Sequence, residues 1–499
     1  MRIAIAGGGP GGLFLAALLR KAGLGHEVTV FERNRAEDTF GFGVVFSDRT
    51  LAGIHAADPV LREALAAHGR HWDAIEVRLK GERIRCGGNG MAAIVRRTLL
   101  MLLQDSARDF GADLRFATEV RLADLDRFDL VVAADGTGSQ IRQALEPAFG
   151  SAVEAATAKF IWFGADYLFS GLTFVHERGP HGVFAVHGYP ISADVSTFIV
   201  ETDEPTWRAA GLDEFDVAAP PGPSDEKTRV YLEDLFAGQI DGHKLLVNNS
   251  RWGNFRTRRT AHWSTLDPRP VVLLGDAAHT AHFSVGSGTK MAMEDAIALV
   301  GALTAHPGDL AAALAAYEAA VRPSVDAIQD AARPSLSWWE HFGRYHDAFE
   351  PWQFAYHFLS RSITDGRLAR RDPAFVAGTH RAWISRHRAE PLETPLAAGG
   401  MTFPGRLLGE VPPDAARVEA PEDEAGLTAA LGRLREGIAG GAPLVAVHGG
   451  ARFTRTLLCE EARLGLGVPA LLVDPMLDTD GATTAVLSGR ADLVVGAAP

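Results

Sequence analysis

Five glycines and a proline fill positions 7 to 12, between a β-forming run, Arg2 to Ala6, and apolar residues Leu13, Ala16, Ala17 and Leu18 at helical spacing. Glu27 to Glu32 reads as a second strand, so the opening is a strand, turn, helix and strand within about 30 residues, the size of a parallel crossover. The spacing Gly7-x-Gly9-x-x-Gly12 in that context is a dinucleotide-binding fingerprint. Gly7 permits the tight turn, Gly9 lets the backbone approach a pyrophosphate, and Gly12 allows the helix to pack closely on the strand. The helix start offers N–H groups and a positive dipole end to phosphates. Glu32 is placed to accept hydrogen bonds from a ribose hydroxyl. The same glycines interrupt an apolar stretch that otherwise looks like a secretory signal, so this segment is read as fold. By itself the motif suits NAD and FAD equally.

The chain has 499 residues, enough for two to four domains. A net charge of −13 argues against nucleic acid and anionic lipid as partners, and no apolar run is long enough to span a membrane. Two cysteines, Cys86 and Cys459, form neither a disulfide framework nor a metal-ligand spacing, which fits a reducing cytoplasm and no metal. Ile94 to Phe110 reads as a helix, Asp129 to Ala134 as a buried strand ending in Asp135-Gly136, and Val271 to Leu274 as a strand entering Gly275-Asp276. Between them, β-branched and aromatic alternation around Phe174, Val183 to Val186 and Ser196 to Val200 predicts an antiparallel sheet. Ala311 to Phe358 reads as helical, and the last hundred residues hold βα-like stretches.

Asp135-Gly136-x-x-Ser139-x-x-Arg142 and Gly275-Asp276-Ala277-Ala278-His279, following the glycine motif in order, resemble the fingerprints of the class A FAD-dependent aromatic hydroxylases, the p-hydroxybenzoate hydroxylase fold. Phe42 to Asp48, Ser196 to Glu201, Thr206-Trp207-Arg208 and Gly286-Ser287-Gly288-Thr289-Lys290 are similar to the branch that contains salicylyl-CoA 5-hydroxylase, the 2-aminobenzoyl-CoA monooxygenases and the violacein-pathway hydroxylases. The match runs over about residues 1 to 390. Thr394 to Leu407 and Gly489 to Val494 resemble the opening and closing segments of an old yellow enzyme domain. Fewer than ninety residues separate them, far short of the ~250 of a complete (β/α)₈ barrel.

The resemblance implies an α/β fold: a Rossmann-like FAD-binding domain (1–158 and 263–310), an inserted β-sheet substrate domain (159–262), a helical connection (311–390) and a small, degenerate α/β C-terminal domain (391–499) without an FMN site. It implies FAD as cofactor, NADH or NADPH as reductant, and an oxygen atom delivered from O₂ through a flavin C4a-hydroperoxide. Cofactor contacts fall on Gly7, Gly9, Pro10, Gly11, Gly12, Glu32, Arg33, Val44, Val45, Arg96, Asp135, Gly136, Asp276, Gly286, Ser287, Gly288 and Thr289, with Arg97 an alternative register for Arg96. Where many relatives carry a Pro-Pro pair this chain has His282-Phe283, the candidate catalytic positions; His282 suits a proton relay or plain packing. Lys290 suits either a counter-charge to reduced flavin or the surface.

His187, Tyr189 and Trp263 are candidates to face the substrate ring, or core residues. Arg251, Arg256, Arg258 and Arg259 form a basic cluster that suits the phosphates of a CoA tail or solvent; Arg251 and Arg256 are the candidate substrate contacts. The expected substrate is an aryl-CoA thioester, salicylyl-CoA or 2-aminobenzoyl-CoA, hydroxylated at ring position 5. The alternatives are an indole or tryptophan-derived substrate, or a flavin-dependent binding protein that does not oxygenate. A monomer or homodimer is expected.

Overall fold

The computed structural model describes residues 1–39, 41–48, 51–215, 223–286, 288–398 and 400–496. The chain divides into two units, Met1–Ala74 with Asn89–Glu340, and Ile75–Gly88 with His341–Pro499.

In the first unit the opening residues form the strand Arg2–Ala6, the helix Pro10–Lys21 and the strand Glu27–Phe31. The two strands pair in parallel, Ile3 opposite Val28. Leu130–Ala133 lies on the other side of Arg2–Ala6, with Val271–Leu273 beyond it, Asp113–Arg115 beside Glu27–Phe31, and Ser264–Thr265 closing one edge in antiparallel. Ile3, Ile5, Val131, Val132 and Val272 are fully buried, as strands covered on both faces must be, which is why they read as continuous apolar runs. The helix Pro10–Lys21 packs against Arg96–Asp109 and Gly288–Ala305.

The expected helix from Ile94 starts two residues later. Met91–Val95 is a strand paired with Gly43–Ser47 and Arg70–Trp72, a short apolar run that periodicity alone does not separate from a helix.

The antiparallel sheet of this unit contains Ser151–Ala165, Leu172–Gly179, Gly182–Pro190, Ser196–Thr202 and Gly253–Thr260. Its first strand runs straight through the expected boundary at 158/159. Residues 151–155 are largely exposed and lack a period-two apolar signal, so nothing in the sequence marks them as strand. Register divides the sheet into two faces. His187 lies opposite both Phe174 and Ile199, Trp162 opposite Ile199, and Tyr189 opposite Thr197, so these side chains share one face. Phe163, Val175, Phe184, Val186, Phe198 and Val200 take the other face and build a core with Leu232, Phe236 and Trp252.

In the second unit the hairpin Ile75–Leu79 and Glu82–Cys86 is tied to distant residues: Gly87 N–H donates to Asp372 (2.6 Å) and Lys80 Nζ to the Phe349 carbonyl (2.8 Å). The stretch from Ala311 to Phe358 is helical as read, in two pieces, Leu310–Ala348 and Pro351–Leu359; Pro351 occupies the first turn of the second, where its missing N–H costs nothing. Asp365–Ala369 and Pro373–His387 follow. The last strands, Leu407–Leu408, Ala416–Glu419, Val445–His448, Ala470–Val473 and Leu493–Val495, form a parallel sheet in which consecutive strands from Ala416 onward are neighbours and the first pairs with the last. Sequential βα units with the first strand beside the last is the order found in a (β/α)₈ barrel, here with five strands. Among the described residues no helix is long and apolar enough to cross a membrane.

Candidate active site

A cavity of about 540 Å³ lies in the first unit. One end is the glycine turn: Gly9, Pro10, Gly11, Gly12, Arg96, Gly136, Asp276, Gly286, Gly288 and Thr289 line it, with Val44 and Val45 from the short strand Gly43–Ser47. The other end is the face of the antiparallel sheet that carries Phe160, Trp162, Phe174, His187, Tyr189 and Ile199, together with Phe255 and Phe283.

The glycines do different work. Gly7 has φ +113°, and a Cβ there would stand 2.2 Å from the Ala134 carbonyl oxygen; a Cβ on Gly12 would stand 2.2 Å from the Gly7 carbonyl oxygen. Both positions therefore exclude a side chain. Gly9, by contrast, faces open space, with nothing within 4 Å of where a Cβ would stand, and no side chain caps the helix it begins. This is a cradle for an anion at a helix N-terminus. Glu32 and Gly7 lie outside the cavity lining. The Glu32 carboxylate accepts from Gly8 N–H (2.8 Å) and from the backbone and side-chain N–H of Asn34 (2.8 and 2.7 Å), which ties the second strand to the turn; its remaining lone pairs can still accept from a ribose. Arg33 is exposed. Asp135 accepts from Gln140 N–H through one oxygen while its other oxygen, Oδ1, is buried without a partner. The open cradle at Gly9 and this orphaned oxygen acceptor fit a phosphate- and hydroxyl-bearing cofactor. Ser287 lies outside the described residues.

Asp276 opens onto the cavity, yet protein crowds it enough for burial to raise its carboxyl pKa, against the lowering effect of His279 and Arg96. Burial likewise lowers the Arg96 pKa, and Asp276 and Tyr189 partly restore it. Asp295, unremarked in the sequence, holds the motif in place: one carboxylate oxygen accepts from Gly275 N–H (2.8 Å) and lies 2.9 Å from His279 Nε2. Burial would depress that imidazole, but Asp295 outweighs it and the His279 pKa is raised. It follows Glu294 directly in the helix Gly288–Ala305, and nothing in the sequence separates this buried acid from its neighbour, which pairs with Lys290.

A second unforeseen carboxylate sits behind the aromatic face. Glu201 is 1% exposed; His187 Nε2 lies 3.3 Å from its Oε2 and His282 Nε2 3.2 Å from its Oε1. Ser284 N–H donates to His282 Nδ1 (3.3 Å), so the proton of neutral His282 sits on Nε2, toward Glu201. Ser284 Oγ lies 2.7 Å from the same Nδ1 and 2.8 Å from Ser335 Oγ. Burial pushes the Glu201 carboxyl up, but the two imidazoles overrule it and hold it below the ordinary carboxylate range. Alternation puts Glu201 on the same face as Ile199, but only the strand register shows that this face also carries His187.

His282 is therefore turned to Glu201 and is not among the residues lining the cavity, whereas its neighbour Phe283 is. Tyr189 lines the cavity, and burial pushes its hydroxyl up to about 12. Trp263 is buried against His279 and Tyr317, away from the lining. Arg256 is exposed and lines the cavity; Arg251 donates to the Pro223 carbonyl (3.3 Å), outside it. Arg259 pairs with Asp330, and Lys290 with Glu294.

Residues 1–332 match the FAD binding domain family. The chain belongs to that family. A salicyloyl-CoA 5-hydroxylase of a Streptomyces species is 56% identical over 99% of this chain and its own full length. A 3-hydroxy-4-methyl-anthranilyl-[aryl-carrier protein] 5-monooxygenase of Streptosporangium sibiricum is 38% identical, over 68% of this chain and 89% of its own. Among solved folds, a mutant of 2-methyl-3-hydroxypyridine-5-carboxylic acid oxygenase superposes with a TM-score of 0.54 at 19% identity, covering 72% of this chain and 98% of its own. The family membership, the α/β architecture and FAD as cofactor expected from the motifs all stand.

Proposed function

We propose that the chain is an FAD-dependent monooxygenase that uses NADH or NADPH and O₂ to hydroxylate an aryl-CoA thioester, salicylyl-CoA first, at ring position 5. The observation that carries this reading is that one cavity joins a nucleotide-type glycine turn to an aromatic sheet face; the full-length likeness to the Streptomyces hydroxylase supplies the thioester.

In this reading the turn Gly9 to Gly12 and the helix start at Pro10 hold the cofactor's diphosphate, with Gly7 shaping the turn, while Glu32, Arg33, Arg96, Asp135 and Gly136 serve its sugar and phosphate region. Asp276, Val44, Val45 and the segment Gly286 to Thr289 serve the flavin end, where N–H groups at the start of the helix Gly288–Ala305 favour negative charge. Bound FAD, once reduced, supplies activated oxygen from O₂. The chain's own contribution is a dry aromatic wall: Phe160, Trp162, Phe174, Phe255 and Phe283 exclude water from the ring. The ring carbon para to a hydroxyl donor is electron-rich, and the carbonyl is meta to it, so position 5 is the favoured target. The CoA tail leads outward past Arg256, with Arg251 further along. The two cysteines are free thiols, which supports a cytoplasmic location.

A panel of salicylyl-CoA, 2-aminobenzoyl-CoA, free salicylate and indole, followed by NAD(P)H consumption and product analysis, tests the proposal. Hydroxylation of a thioester is expected. Turnover of free salicylate or indole with none of the thioesters would overturn it.

A further inference from the structure

Two acids meet just past the strand Val271–Leu273. Asp276, in the turn Gly275–Ala277, lines the cavity at its glycine end. Asp295, 0% exposed, reaches the same turn from the helix Gly288–Ala305, where Gly275 N–H donates to it (2.8 Å). Burial disfavours either charge, and each makes the other harder to hold. Two cations act against this. Arg96 acts on Asp276 from the start of the helix Arg96–Asp109 and keeps its proton. His279, 1% exposed, places Nε2 2.9 Å from Asp295 and donates its backbone N–H to the Gly275 carbonyl (3.0 Å). Other groups around the imidazole do not compete. Asp326, from the helix Leu310–Ala348, favours its charge; Tyr317 stays neutral and donates to the Leu273 carbonyl (3.0 Å); Arg322, over the Trp263 ring that packs on His279, is paired with Glu318. With Arg96 alone the cluster holds two carboxylates against one cation, and a buried excess charge takes up a proton. With a charged His279 it balances.

Resting on the reading that Asp276 serves the cofactor, we propose that His279 and Asp295 form a buried ion pair whose imidazolium keeps Asp276 a carboxylate, so that the chain holds its flavin into mild acid. A carboxylate binds hydroxyls through charge-assisted bonds, which a protonated acid gives up. His279 is not among the residues lining the cavity, so it is a positioning residue that acts through its charge. Burial opposes that charge, but Asp295, and after it Asp276 and Asp326, outweigh burial and raise the His279 pKa. The imidazole therefore gains its charge at a higher pH than an ordinary histidine, and acidification strengthens the pair.

The test follows FAD dissociation from the loaded full chain, read as the fluorescence of released flavin on dilution at pH 8 and pH 6. Wild-type affinity should agree within about threefold at the two pH values, since no proton is taken up on Asp276 between them. His279→Gln should match wild type at pH 8 and bind at least about 10-fold more weakly at pH 6, about the difference between a charge-assisted and a neutral hydrogen bond. Asp276→Asn should weaken FAD equally at both, and adding His279→Gln to it should bring no further acid loss, because no carboxylate remains to protect. A His279→Gln profile as flat as that of wild type, a wild type with the same acid loss, or an acid loss that persists in the double variant overturns the inference. If His279→Gln holds no flavin at either pH, His279→Lys, which keeps a cation beside Asp295, decides: flavin held equally at both supports the pair, and flavin lost at either overturns it. Wild-type affinity in Asp276→Asn would instead overturn the reading of Asp276 as a cofactor contact.

Discussion

Glu201 in the first unit and Glu460 in the second are both buried carboxylates holding a histidine, at 1% and 3% exposure. Their surroundings differ. Glu460 accepts from the Tyr345 hydroxyl, lies 3.2 Å from His357 Nε2, and has Arg490 Nε at 3.4 Å to match its charge. Burial, aided by Arg490, pushes the His357 pKa down to about 4, and the surrounding donors hold Glu460 down to about 2. Glu201 has imidazoles on both oxygens, and one of them lines a cavity. A buried carboxylate–imidazole pair is thus ambiguous until its far side is known. At Glu460 the far side holds a guanidinium that matches the buried charge, whereas at Glu201 one imidazole lines the cavity.

The strongest way to break this contrast is Glu460→Ala. It leaves a buried guanidinium uncompensated and should cost about 3–5 kcal/mol of stability, read as a drop in the urea or thermal midpoint. Activity per bound flavin should be unchanged at a temperature where the variant is folded; a selective loss of kcat would show that the second unit takes part in the chemistry.

Next comes the acid response of the same cluster. The folded pKa of His357 lies below its unfolded value of 6.5, so the unfolded chain binds the extra proton in between. The contribution is full above pH 6.5 and is lost as pH falls toward 4, with a total of about 3 kcal/mol at 1.36 kcal/mol per unit. His357→Phe should flatten the stability profile in that window. An unchanged slope would mean that His357 is not buried neutral.

Glu32 provides an intermediate case, a half-buried carboxylate that both braces the glycine turn and stands ready for a ribose. Glu32→Ala should weaken FAD binding by about 1.5–3 kcal/mol, giving a paler protein at equal purity. Unaltered flavin affinity would assign Glu32 to the turn alone. The smallest effect concerns an exposed guanidinium, in contrast to buried Arg490. Arg256→Ala should raise KM for the thioester by about two- to fivefold, and the difference should fade as salt rises above physiological levels, as screened surface charge requires.

These cases also show what the sequence made legible. The glycine turn was readable because its constraints are local: a positive φ at Gly7 and the clash awaiting a Cβ at Gly12 leave one residue type at each position. Alternation along Ser196 to Val200 and around Val183 to Val186 likewise identified the sheet. The pairing of Glu201 with His187 and His282 was out of reach, because it depends on strand register and on a loop more than eighty residues away. Asp295 was hidden in the same way, as its partners Gly275 and His279 lie on another element. The hairpin Ile75 to Cys86 could not be assigned to the second unit, since the contacts that tie it there reach Phe349 and Asp372.

The most direct measurement of the central claim is one turnover experiment under isotopically heavy O₂. Purified protein carrying FAD is mixed with NADH and salicylyl-CoA, and the product is read by mass spectrometry and NMR. The account predicts 2,5-dihydroxybenzoyl-CoA with one heavy oxygen at ring position 5, formed in proportion to the NADH consumed. Consumption of NADH that yields hydrogen peroxide and unaltered thioester, or a ring oxygen taken from water, would contradict it.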